Sequence, residues 1–171
     1  MELYFLRHGI AADRDDPKYK DDSLRPLTPE GQKKMCREAQ GMKDLGLGFD
    51  VILSSPYLRA KQTAEEVANV YNIKTKDIYL TNNLLPPASV EDLLREIQAH
   101  FPKTGHVLCV GHEPHLSENI SSLLKSARPL NIDLKKGGLC CLSLDQLNSP
   151  EAVLRWLLPP ALLTRLARRP H

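Results

Sequence analysis

Short apolar runs recur along this chain of 171 residues, and each stops on a small or charged residue before a stretch of helical period begins. Residues 3–6 (Leu-Tyr-Phe-Leu) end on Arg7, His8 and Gly9. Residues 50–53 (Asp-Val-Ile-Leu) end on Ser54, Ser55 and Pro56, and residues 106–110 (His-Val-Leu-Cys-Val) end on Gly111 and His112. Apolar runs this short suit strands covered on both faces. Strand followed by helix, repeated, predicts an α/β three-layer sandwich with a mostly parallel central sheet and helices on both faces.

The stretches between the runs carry their own signals. Residues 10–24 are polar, with Asp13, Asp15, Asp16, Asp21 and Asp22, and read as a long surface loop of the kind that is usually functional or mobile. Thr28 is placed to cap a helix that Pro29 opens, with Gly31, Met35, Ala39, Met42 and Leu45 on one face. Helical period resumes at Tyr57, with Ala60, Ala64, Val67, Ala68 and Tyr71 inward and Arg59 in the first turn. A weak strand is expected over 77–80. Ser89 and Asp92 form a capping-box pattern before Val90, Leu93, Leu94 and Ile97. Pro114 opens another helix. Beyond Gly137 and Gly138 the pattern changes, and 139–144 with 152–158 read as a hairpin added to the sheet. A short helix over 161–167, fraying at Arg168 and Arg169, closes the chain. No repeat or linker divides it, so one domain over 1–171 is expected.

Charge and composition narrow the function classes. The net charge is +2 and no Lys/Arg run is long, which argues against a nucleic-acid partner. No apolar run approaches the roughly 18 residues of a membrane span, and the N-terminus lacks a signal-peptide pattern. A soluble, cytoplasmic protein is the default expectation, with no membrane partner. Cys36, Cys109, Cys140 and Cys141 lack paired metal spacing and read as reduced thiols, the last three in apolar strands. No metal and no cofactor is expected.

In a parallel sheet the ends of all three runs lie on one edge, where ligands of open α/β sheets bind. Arg7, His8, Arg59 and His112 would meet there. Guanidinium forks match phosphoryl oxygens, and phosphoryl transfer needs mainly positioning and charge. His8, between Arg7 and Gly9, is the better nucleophile, provided one ring nitrogen is unprotonated and the other fixed by a hydrogen bond. Gly9 would let backbone groups approach the ring. His112 would donate to phosphoryl oxygens. His100, His106, His115 and His171 are assigned no catalytic role. Ser54 and Ser55 read as turn formers, and Gln62 and Thr63 as packing or capping residues.

Leu6-Arg-His-Gly9 resembles the signature of the histidine phosphatase (phosphoglycerate mutase-like) superfamily. Ser54-Ser-Pro-Tyr-Leu-Arg-Ala-Lys-Gln-Thr-Ala64 and Val110-Gly-His112 resemble its second and third blocks, in order. Residues 24–31, Leu134-Lys-Lys-Gly-Gly138 and Trp156-Leu-Leu-Pro-Pro160 are similar to the SixA-type phosphohistidine phosphatases. The resemblance implies a phosphorylated His8, a phosphate pocket of Arg7, Arg59 and His112, and Arg25 as a further pocket arginine.

Larger members supply a Glu or Asp general acid from the segment after the third strand. This chain has no carboxylate from Ile78 to Val90. An alkoxide leaving group needs a proton, whereas imidazole, whose conjugate acid has a pKa of about 6.5, needs little help. The expected function is therefore a metal-independent phosphatase for protein phosphohistidine, with a histidine-containing phosphotransfer domain as partner. The alternatives are a phosphomonoesterase for a small molecule or phospho-Ser/Thr, its acid drawn from residues 13–22 or Glu113, a metallophosphatase using His8, His112 and the loop aspartates, and a non-catalytic phosphoprotein-binding module.

Overall fold

A computed structural model describes residues 1–147 and 151–167. The expected fraying at Arg168 and Arg169, and His171, lie outside the described residues. The strands are β1 (Glu2–Arg7), β2 (Val51–Ser54), β3 (Ile78–Leu80), β4 (His106–Gly111), β5 (Leu139–Leu144) and β6 (Ala152–Leu158). They form one sheet in the order β3-β2-β4-β1-β5-β6. The β1–β4, β4–β2 and β2–β3 pairs are parallel; β5 runs antiparallel to both β1 and β6.

Two-sided burial explains why the central strands β1, β4 and β5 carry near-continuous apolar runs. Leu3 and Phe5 pack with Leu93, Leu94, Ile97, Leu116 and Ile120 in one core. Tyr4 and Leu6, the alternate residues of β1, pack with Met35, Met42, Ala60, Ala64, Val67 and Leu163 in the other. Thus α3 (Val90–His100) and α4 (His115–Leu123) cover one face, and α1 (Pro29–Asp44), α2 (Leu58–Tyr71) and α5 (Pro160–Leu166) the other. The architecture is the expected three-layer α/β sandwich. No helix among the described residues is long and apolar enough to cross a membrane.

Local chemistry sets the element ends. The Thr28 hydroxyl accepts from Gly31 N at 2.9 Å, and Ser89 and Asp92 form the full capping box. Leu45 departs from expectation: α1 stops at Asp44, so Leu45 is a cap residue and is exposed. β3 starts one residue late because Asp77 closes a 3-10 turn. Cys109, Cys140 and Cys141 are buried free thiols, and burial pushes the pKa of each upward.

The steric demand for glycine where β1 feeds α1 falls on Gly31. A Cβ there would lie 2.0 Å from Ile10 O, whereas one on Gly9 would find nothing nearer than 3.4 Å. Gly9 also avoids the left-handed region. Gly9 therefore uses neither the space nor the backbone freedom that only a glycine offers.

A buried carboxyl on α1 stands apart from the apolar pattern. Glu38 on α1 is 1% exposed, and its Oε1 lacks a hydrogen-bond partner. Lys34 Nζ is 3.9 Å away. Burial pushes the Glu38 pKa up to about 8, with Lys34 opposing. Its carboxyl rests against Gly137, where a Cβ would be 2.2 Å from Oε2. The folded state thus holds a proton that the unfolded chain releases near pH 4.3, so this group makes stability fall as pH rises from about 4.3 to 8. Urea unfolding at pH 5, 6.5 and 8 is expected to show Glu38→Gln losing about 1–3 kcal/mol less than the parent over this interval. Parallel pH profiles for the two proteins would refute it.

Candidate active site

The site begins with strand register. β1 and β4 pair in parallel with Leu6 opposite Val110 and Arg7 opposite Gly111, and His8 N donates to Gly111 O at 3.0 Å. His8 and His112 therefore leave neighbouring strands at one level, with ring centroids 5.1 Å apart. On the other side of β4, Ser55 N donates to Val110 O at 3.0 Å, and α2 begins three residues later. Its first turn sends Arg59 back over the strand ends, where Nε donates to His8 Nε2 at 3.3 Å. The Arg59 guanidinium also lies 5.1 Å from the Tyr57 ring.

His8 is held in one tautomer. Nδ1 lies 2.8 Å from Gly9 O, an acceptor only, so Nδ1 carries the proton and Nε2 keeps its lone pair. Burial, then the neighbouring His112, Arg59 and Arg7, lower its pKa to about 3, against the bond to Gly9. His112 is lowered to about 3 as well, by burial first and then by Arg59. Both rings are neutral at pH 7.

The four residues expected at this edge are thus brought together. Arg7 is anchored from residues 134–138: Leu134 O accepts from Nη1 at 2.9 Å, Gly138 O from Arg7 N at 3.1 Å, and Gly137 N donates to Arg7 O at 3.0 Å. Its Nε is buried without a partner, and so is His112 Nδ1. Arg25 comes close enough to lower the pKa of His112 and Arg59 electrostatically. Its own donors, however, go to Asp22 and to Ala12 O.

Three contributors were not singled out in the sequence. Ser55 Oγ lies 2.7 Å from His112 Nε2 while accepting from Tyr57 N at 3.3 Å, so it serves the ring as well as the turn. Thr63 Oγ1 accepts from Gly9 N at 3.0 Å and donates to Arg59 O at 2.7 Å, tying the end of β1 to α2. Its spacing of four from Arg59 was a usable signal, because such pairs share a helix face. Asp22 binds both Arg25 and Arg59. Nothing in the sequence separates it from the other loop aspartates.

Carboxylates that could serve as acids are mostly committed elsewhere. Glu96 accepts from Thr81 and Asn83 at 2.5 and 2.8 Å. Asp92 is held down to about 2 by its bonds from Ser89 and Arg95. For Asp22 burial favours the neutral form, but the hydrogen bond from Arg25 and the charge of Arg59 outweigh it and keep the pKa low. Glu113, beside His112, goes the other way: burial raises it, although Ser117 and Arg7 oppose.

Residues 3–82 match the model of the histidine phosphatase superfamily, branch 1. The chain is 38% identical to an uncharacterized protein of Picosynechococcus sp. strain PCC 7002, over 81% of this chain and 82% of that one. It is 30% identical to the phosphohistidine phosphatase SixA of Escherichia coli K12, over 67% and 78% of the two chains. Among solved structures, the protein histidine phosphatase SixA complexed with tungstate superposes with a TM-score of 0.80 at 27% identity, over 95% of this chain and 99% of that one. Sequence blocks, sheet topology and likeness agree: the chain belongs to the histidine phosphatase superfamily and is a SixA-like phosphatase.

Proposed function

We propose that this protein hydrolyses phosphohistidine carried by another protein, without a metal, through a phospho-His8 intermediate. The observation that carries the reading is a neutral His8 with its Nε2 lone pair retained, beside two residues, Arg7 and His112, that each keep a buried nitrogen without a partner, Nε and Nδ1 respectively. Buried polar atoms are rarely left unpaired, and phosphoryl oxygens would satisfy these. If Ser55 donates to His112 Nε2, the His112 proton resides on Nδ1 and can serve an oxygen.

Nε2 of His8 attacks phosphorus and the bond from phosphorus to the substrate imidazole breaks. The substrate ring, its other nitrogen carrying a proton taken up from solvent, takes the bonding pair and leaves as neutral imidazole. Water then attacks phospho-His8, releasing phosphate and restoring the lone pair. Arg7, Arg59 and Arg25 would hold the equatorial oxygens, so three guanidiniums supply the charge a metal would otherwise provide. The stretch from Thr81 to Ser89 brings no acid, which suits a leaving group that departs unaided. A histidine-containing phosphotransfer domain is the partner that fits such a substrate. The likeness to the phosphohistidine phosphatase SixA supports phosphohistidine as the substrate.

Glu113 favours a second reading. A half-buried carboxyl with a raised pKa next to His112 could protonate an alkoxide, which would suit a small phosphomonoester.

Phosphate release from phosphohistidine and phosphoserine peptides in direct competition separates the two. The first reading expects the phosphohistidine peptide to be consumed at least about 100-fold faster, since general acid help is commonly worth 10²–10⁴. Comparable consumption favours the second. Replacing His8 by Ala is expected to abolish both turnover and acid-labile labelling of the protein. Full activity in that variant would exclude a phospho-His8 pathway, and failure of the parent to label would favour a binding module.

The protonation state is open to direct test. Imidazole NMR is expected to find His8 and His112 neutral down to about pH 5, where an ordinary histidine of pKa about 6.5 is already charged. Their depressed folded-state values also imply that stability falls as pH drops below 6.5, because only the unfolded chain takes up protons there. Titration of His8 near 6.5 would contradict the burial argument.

A further inference from the structure

The loop between β1 and α1 is tied down through a single residue. Its two ends are pinned to each other: Ala12 N donates to Pro26 O at 2.9 Å, Thr28 N to Ile10 O at 2.9 Å, and Ala11 bridges Leu27. Among the described residues, each hydrogen bond that links residues 13–24 to the chain outside that stretch is made by Asp22. Its backbone oxygen accepts from Arg59 Nη1 at 2.7 Å, and Oδ2 accepts from Nη2 at 2.9 Å. Oδ1 accepts from Arg25 Nε at 2.8 Å, with Arg25 Nη2 also 2.8 Å away. Asp21 shapes the turn by accepting from Ser23 N and Oγ at 2.9 and 2.7 Å, which leaves Asp22 to face the arginines.

This arrangement has a consequence for His8. With both terminal nitrogens of Arg59 held by Asp22, the remaining donor, Nε, lies on the His8 Nε2 lone pair. An imidazole lone pair engaged with a guanidinium N–H is not free to attack phosphorus. The same donors are those a phosphoryl group would use, and a carboxylate is the natural occupant of a guanidinium fork when phosphate is absent.

We propose that Asp22 is a carboxylate latch that the substrate's phosphoryl group displaces. In the resting protein it occupies Arg25 and Arg59 and keeps Arg59 on the nucleophile. Substrate binding exchanges one anion for another, draws Arg59 from His8 Nε2 to the phosphoryl oxygens and frees residues 13–24. The inference rests on the reading of this site as a phosphoryl pocket. It also assigns the latch a role in selectivity. A monoanionic carboxylate ligand gains no advantage over Asp22, which is tethered and so present at high effective concentration. A phosphoryl group, with three oxygens and up to two charges, can outcompete it.

The test measures binding of inorganic phosphate at pH 7 by calorimetry to the parent and to Asp22→Asn. A latch lowers apparent affinity by the fraction of molecules in which it is open, so the variant is expected to bind phosphate about tenfold more tightly. Acetate is expected to compete better in the variant than in the parent. Equal or weaker phosphate binding by the variant would overturn the latch and make Asp22 an orienting residue for Arg59. Absence of phosphate binding in both proteins would instead overturn the phosphoryl-pocket reading, and the latch with it. A second measurement uses the parent alone. Hydrogen exchange of the Ser23, Leu24 and Arg25 amides is expected to accelerate when phosphate is bound, because the turn that Asp22 anchors is released. Unchanged or slower exchange would overturn the proposal even if the variant failed to fold.

Discussion

The parallel pairing of β1 with β4 is the constraint on which the site depends. The ladder continues one residue past the end of β1, where His8 N meets Gly111 O. It places Arg7 opposite Gly111, and therefore His8 and His112 at the same height. Side chains alternate across a sheet, so a slip of one residue in β1 would send His8 to the other face and at once exchange Leu3 and Phe5 with Tyr4 and Leu6, putting side chains of the wrong shape into both cores. The packing of those residues is thus the device that fixes the register of the two histidines. β2 extends the same logic from the far side of β4, since Ser54 lies opposite Val110 and delivers Ser55 to His112. Stability and site geometry are set by the same contacts here. Mutations deep in β1 or β4 should not be read as remote from the chemistry.

Burial then decides what the histidines can be. An exposed imidazole at neutral pH is partly protonated and offers its lone pair only part of the time. Here the sheet edge, α2 and the neighbouring cations withdraw solvent and add positive charge, and both effects disfavour a second proton. The Gly9 carbonyl fixes which nitrogen keeps the lone pair. Two distinct results follow from one location: the ring is neutral, and its lone pair is on Nε2. Gly9 contributes through its carbonyl and its N–H to Thr63, both backbone groups that any residue carries. The close approach that does require a glycine is at Gly31, against Ile10 O, which allows the first turn of α1 to sit against the exit from β1.

Much of this was legible because it is local. The strand ends, the Thr28 cap, the Ser89–Asp92 box and the first-turn position of Arg59 follow from residues a few places apart. The two-core pattern of β1 and β4 follows from runs without polar alternation. The parts that were not legible are contacts across long sequence distances between residue types with many possible uses. Ser55 was readable as a turn former, and it is one; its bond to His112, 57 residues away, needs the β2–β4 register. Arg25 was placed in the pocket by resemblance, and its nearness is real, but its donors are turned to Asp22 and Ala12. The 134–138 segment is readable in the sequence as a block similar to the SixA-type enzymes. Its backbone bonds to Arg7, and the pressure of buried Glu38 against Gly137, are visible only in three dimensions.

The distribution of carboxylates bears on the substrate more than any single cation does. Acid catalysis of ester cleavage needs a carboxyl that is protonated near neutral pH and close to the leaving oxygen. After β3, the segment from Thr81 to Ser89 has none, and two carboxylates on α3 hold the segment in place, Glu96 through Thr81 and Asn83 and Asp92 through the cap at Ser89. Asp92 is a poor proton donor, because its bonds stabilise the charged form. Asp22 is disqualified for the same reason by Arg25 and Arg59. Glu113 is the candidate beside His112, and burial does raise its pKa, but both of its oxygens are engaged with Ser117 on α4. For Glu113 to act it would have to give up the bonds that join it to α4, whereas a phosphoimidazole asks nothing of it. A pocket rich in guanidinium groups and poor in available protons is suited to a leaving group whose basicity is already low. On the proposed reading, the same poverty of acids makes it a weaker catalyst for phosphate esters than for phosphohistidine, whatever its affinity for them.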